Sequence, residues 1–97
     1  MEMNNLPILS ALGQPTRWRA FELLMRQGDD GMLQGEIAKG LGIERNLLSV
    51  HLKILREAGL VTAEKAGREV TYRVRHAAAR HAAKSIIDLI DAAKAPA

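Results

Sequence analysis

The sequence predicts a mainly α-helical domain with a small β-hairpin, an α+β class with about five helices plus a two- or three-stranded sheet. Three observations carry this. "QGEIAKGLG" and "RNLLSVHLKILRE" have helical apolar spacing and are separated by Gly42, the pattern of a helix-turn-helix. "EVTYRVR" alternates Val70, Tyr72 and Val74 with Glu69, Thr71, Arg73 and Arg75, the period of a half-buried strand. From His76 to about residue 93 helical spacing returns, with Ile86 and Ile90 one turn apart. A hairpin that directly follows a helix-turn-helix makes a wing, so a winged helix-turn-helix is expected.

The elements follow in order. "NNLPILSALG" reads as a short apolar helix ending at Gly13. Pro15 suits the first turn of the next helix, "PTRWRAFELLMRQ", where Trp18, Phe21, Leu24 and Met25 share one side and Gly28 is a natural stop. "GDDG" is a turn, which better explains Asp29 and Asp30 than a catalytic carboxylate pair. A very short strand at Met32 and Leu33 is expected before the third helix. The last helix is rich in alanine, and "KAPA" should fray.

Ninety-seven residues make one domain, 1–97, with a core at 12–75 and candidate dimerisation helices at about 4–13 and 76–93. The absence of cysteine excludes a disulfide framework, a thiolate metal site and a thiol redox switch made by this chain. The start "MEMNNLPILSALG" lacks a secretory pattern and no apolar run is long enough for a bilayer, so a cytoplasmic protein without a membrane partner is expected. No phosphate-cradling glycine loop or nucleophile motif with a partnered base is present, so no enzymatic activity is expected. The formal charge is only +3, yet Lys39 to Arg75 holds eight basic residues against four acids. Such a local excess is what a phosphate footprint looks like, with a solvated face as the alternative.

The fourth helix sharpens that choice. Advancing about 100° per residue from Arg45, Arg56, Ser49, Lys53 and Asn46 fall between about 20° and 100°. Leu47, Leu48, Leu52, Ile54, Leu55 and Ala58 occupy about 180° to 340°. Arginine can donate a bidentate pair to guanine, asparagine can pair with adenine and serine with either base, so Arg45, Asn46 and Ser49 are candidate base readers. Lys53, Arg56, Lys65, Arg68 and Arg73 are candidates for the DNA backbone, with Arg68 at the wing tip. His51, near 240°, reads as a core or backbone-anchoring histidine before a base contact. Trp18, Met25 and Met32 read as core or interface.

"LGQPTRWRAFELL", "EIAKGLGIERNLLSVHLKILREAGLV" and "AGREVTYRV" resemble the ArsR/SmtB family of bacterial winged helix-turn-helix repressors. The S-x-H-L-x-x-L-x-x-A-G-L-V string at 49–61, followed by G-R-x-x-x-Y at 67–72, carries the resemblance. It implies a homodimeric repressor, paired through its first and last helices, that leaves its operator when a signal arrives. Two departures stand out: Glu44 where members often have a capping serine, and Glu69 beside Arg68 in the wing. The resemblance also implies where metals would sit. One site type needs cysteine in the helix before the recognition helix, and Leu33 stands where the first thiol would fall. The other uses carboxylates and histidines of the last helix; His76, His81, Asp88 and Asp91 are present, but His76 and His81 point about 140° apart.

The expectation is therefore a homodimeric repressor that binds double-stranded DNA at an inverted repeat and carries no cofactor or metal; its inducer is unknown. Leu6, Ile8, Leu9, Ala79, Ala82, Ala83, Ile86, Ile87, Leu89 and Ile90 are the candidate dimer seam, against the alternative of a folded monomer with the last helix on its own core. A protein-interaction module and a last-helix metal sensor are the rival readings.

Overall fold

The computed structural model describes residues 5–94. The chain runs α1 (Leu6–Leu12), α2 (Pro15–Gln27), β1 (Met32–Leu33), α3 (Gln34–Leu41), α4 (Arg45–Glu57), β2 (Val61–Ala66), β3 (Glu69–Val74) and α5 (His76–Lys94). Five helices and one three-stranded antiparallel sheet of order β1-β3-β2 make a winged helix-turn-helix. The expected fraying of "KAPA" falls mostly on residues 95–97, and the expected first helix begins at residue 4; those residues lie outside the described ones.

Local chemistry sets the boundaries. Pro15 opens α2, whose preceding Gln14 side chain accepts a hydrogen bond from the Arg17 backbone N–H at 2.9 Å. The Glu44 carboxylate does the same for Leu47 N–H at 3.0 Å at the start of α4, so the acidic residue fills the capping role. Between α3 and α4 the chain turns at Gly42 with φ 67, a left-handed conformation that a Cβ would penalise. Beyond α4, Leu60 N–H returns to the Leu55 carbonyl at 3.0 Å and the chain enters β2. Strands β2 and β3 pair from Val61↔Val74 to Ala66↔Glu69, leaving Gly67 and Arg68 as the wing tip. Met32↔Tyr72 and Leu33↔Thr71 add β1 to the other edge of β3.

The core gathers Ala20 and Leu24 of α2, Ile37 and Leu41 of α3, Leu48, Leu52 and Leu55 of α4, Leu60, Val61, Tyr72 and Val74. Each fully buried leucine contributes about 1.5–3 kcal/mol from the area it removes from water. The three α4 leucines therefore seat that helix firmly. They are, however, only part of the expected apolar arc. Leu47 and Ile54 are exposed, because the contact with α2, α3 and β2 spans a narrower strip than the wheel's apolar half. Trp18 and Met25 are also at the surface, since Ala20 and Leu24 take the inward side of α2; Trp18 instead leans on Phe21 with ring centroids 5.6 Å apart. Met32 is half-buried against the core.

Helix α5 packs on α1. The buried Asn5 side chain donates to the Ser85 hydroxyl at 2.6 Å, and that hydroxyl donates to the His81 carbonyl at 3.1 Å. Ile8 (6% exposed) and Ala82 (2%) close this contact from within the subunit. Both were expected in the dimer seam; their side chains are instead spent on the subunit's own core. Beyond Ser85, the side chains of Ile86, Ile87, Leu89 and Ile90 are exposed.

Candidate nucleic-acid interface

Helix α4 is the second helix of the helix-turn-helix and packs against α1, α2, α3 and β2. Leu48, Leu52 and Leu55 anchor one side, and about 180° away, at 100° per residue, stand Asn46, Val50 and Lys53. Arg45, Asn46, Ser49, Lys53 and Arg56 are all exposed, as the sequence led us to expect. Their arrangement differs from the expected strip. Asn46 and Lys53 point outward, whereas Arg45, Ser49 and Arg56 lie on the flank closer to the core line.

The Arg45 flank faces the wing. Arg45 and Arg68, far apart in sequence, line one cleft of about 500 Å³ with Gln34, Glu36, Lys39 and Glu69. Gln34 Nε2 donates to the Arg45 carbonyl at 3.5 Å, tying the start of α3 to the start of α4. Glu36 is used internally, accepting from Leu33 N–H at 2.8 Å. Lys39 and Gln34 received no site role from the sequence. In the sequence Lys39 is only one member of the basic excess, and nothing in a linear pattern brings the wing and the start of α3 to one cleft.

The remaining basic residues divide into free and engaged. Lys65 and Arg68 project from the hairpin. Lys53 lies 3.8 Å from Glu57 in an exposed pair that solvent largely screens. Arg73 is half-buried: its Nε donates to the Asp29 carbonyl at 3.1 Å and its guanidinium lies 3.8 Å from Glu64. It clamps the turn before β1 to the sheet, and that use of its donors sets it apart from the other backbone candidates. Arg75 similarly donates to the Gly59 carbonyl at 3.1 Å.

His51 sits half-buried on the opposite flank of α4, with Nδ1 3.4 Å from Arg17 Nη1. Burial and then the neighbouring guanidinium lower its pKa. Arg17 also donates from Nε to the Ala11 carbonyl at 2.6 Å. His51 therefore stands at the joint between α1, α2 and α4, outside the buried core and against a side chain of α2. Among the described residues no three His, Cys, Asp or Glu side chains converge as a metal site, and no helix is long and apolar enough to cross a membrane.

Comparison with known proteins agrees with this geometry. A family model described as a helix-turn-helix domain matches residues 12–64. The transcriptional repressor SmtB of Mycobacterium tuberculosis (strain CDC 1551 / Oshkosh) is 35% identical over 83 residues, an alignment covering 86% of this chain and 57% of that protein. This chain thus matches a little over half the length of that relative. An ArsR-like transcriptional regulator from Rhodococcus sp. RHA1 superposes with a TM-score of 0.75 at 28% identity, covering 89% of this chain and 78% of that one. The homodimeric winged helix-turn-helix DNA-binding domain of a Mycobacterium bovis protein, described as a possible ArsR-family transcriptional regulator, superposes at 0.71 with 25% identity over 94% of this chain and 82% of that one. With a helix-turn-helix, a three-stranded wing and these relatives together, the chain belongs to the ArsR/SmtB family of winged helix-turn-helix transcriptional regulators.

Proposed function

We propose that this chain is a cytoplasmic, homodimeric repressor that binds an inverted-repeat operator in double-stranded DNA and is released by a signal that its described residues do not specify. The observation that carries the reading is the exposed polar face of α4, flanked by the Arg45–Arg68 cleft. A helix of this kind enters the major groove by its N-terminal end, where Arg45, Asn46 and Ser49 would contact base edges. Lys53, Arg56, Lys65 and Arg68 would hold phosphates, with Arg68 reaching the neighbouring minor groove. Arg73, committed to Asp29 and Glu64, would serve mainly by fixing the wing.

Two subunits are required because one α4 reads only a half-site. The exposed Ile86, Ile87, Leu89 and Ile90 of α5, with Leu6 of α1, offer the apolar area for a seam, and Leu9, Ala79 and Ala83 stand beside it. An apolar helix end left in water favours self-association, and two-fold pairing would set the two α4 helices about 34 Å apart, one turn of DNA. The M. bovis neighbour's homodimeric state supports this assembly.

Selection of bound sequences from a random duplex pool tests the proposal. Enrichment of an inverted repeat whose binding weakens steeply with salt is the expected result. Failure to enrich any duplex would leave the protein-interaction reading of the same surface.

A further inference from the structure

The outward face of α4 carries large apolar side chains beside its cations. Val50 is 56% and Leu47 54% exposed, and neither belongs to the buried core. Val50 lies almost opposite the buried line of Leu48, Leu52 and Leu55, between Asn46 one turn before it and Lys53 one turn after. Leu47 lies one turn before it on the adjoining flank. An apolar stripe within a polar, cationic surface is a mixed signal, and the partner must answer both parts. Arg45, Lys53 and Arg56 on the same helix, with Arg68 across the cleft, call for a polyanion. Val50 calls for an apolar group displayed by that polyanion.

Duplex DNA offers one such group to a helix in its major groove, the 5-methyl of thymine. From this, and resting on the DNA-binding reading above, we propose that Val50 is a specificity-determining residue that selects thymine in each half-site by packing on its 5-methyl group, with Leu47 extending the apolar surface. The selection works through area removed from water. A cytosine at the same position presents an amino group that valine cannot pair, leaving a buried donor unsatisfied. Asn46, one turn away, can pair with an adenine and so fix the register in which Val50 meets its base.

The test isolates one methyl group. The duplex enriched from the random pool is titrated with the full chain by fluorescence anisotropy, each thymine being replaced in turn by deoxyuridine, which keeps every hydrogen bond and lacks only the methyl. For the native chain, one position per half-site should lose about fourfold in affinity, equivalent to about 0.8 kcal/mol for a methyl-sized group left in water. In Val50→Ala, which keeps a strong helix former at an exposed position but removes two of the three side-chain carbons, the difference between thymine and deoxyuridine duplexes at that position should shrink. The proposal is overturned by a native chain indifferent to every thymine methyl, or by a methyl effect of undiminished size in Val50→Ala. Failure to enrich any duplex would instead bring down the underlying DNA-binding reading and this proposal with it.

Discussion

Single residues divide by whether their donors are free. Arg45 shares a cleft with Arg68; Arg45→Ala should cost about 1–3 kcal/mol on the selected operator and relax preference at one base pair, read by comparing specific with random duplex. An equal loss on both would assign it to phosphate. His51 gives a pH prediction. Burial, and then an Nδ1 that faces a guanidinium able only to donate, make the neutral ring suit the folded state, so the folded pKa lies below the ordinary 6.5. For a depressed histidine the unfolded chain takes up the proton first. This residue's contribution to stability is thus fully present above about pH 6.5 and declines as pH falls from there through the folded pKa. Thermal unfolding between pH 7.5 and 5 should show a decline that His51→Gln reduces.

Elements are joined by few but identifiable contacts. Ser85→Ala would leave the buried Asn5 amide without its acceptor between α1 and α5, and should destabilise by about 1–3 kcal/mol in denaturant unfolding. Gly31, with φ 74, lies so close to β3 that an added Cβ would stand 2.6 Å from the Tyr72 carbonyl oxygen and 2.7 Å from Arg73 Cγ. Gly31→Ala should therefore lose more than the roughly 1–2 kcal/mol of backbone strain alone, again by denaturant unfolding. Element limits were legible in the sequence because their signals are local: Pro15, Gly28, Gly42 and the alternation around Tyr72 each act within a few residues. The outward direction of α4 was not. Period alone marks an apolar half, and the packing of α1, α2, α3 and β2 decides that Leu48, Leu52 and Leu55 turn in while Leu47 and Ile54 stay out. The meeting of Arg45 with Arg68 was likewise hidden, because it depends on how the hairpin folds back over the start of α3.

At the scale of the whole molecule, the end of α5 makes the strongest demand. Ile90 is exposed in the subunit, so Ile90→Asp should leave the fold intact while removing apolar area from both sides of the proposed seam. A loss of about 1.5–3 kcal/mol from the dimer, since each of the two half-exposed side chains has only about half its area left to bury, should appear as a shift to monomer in sedimentation equilibrium, together with weaker operator binding. Unchanged association would place the seam elsewhere. The packing of α4 has an evolutionary corollary. Because its inward leucines hold the helix while Asn46 and Val50 lie on the other side, the proposed base readout and foldedness rest on separate codons. A duplicated copy could drift to a new regulatory sequence by a few outward substitutions, without passing through an unstable ancestor.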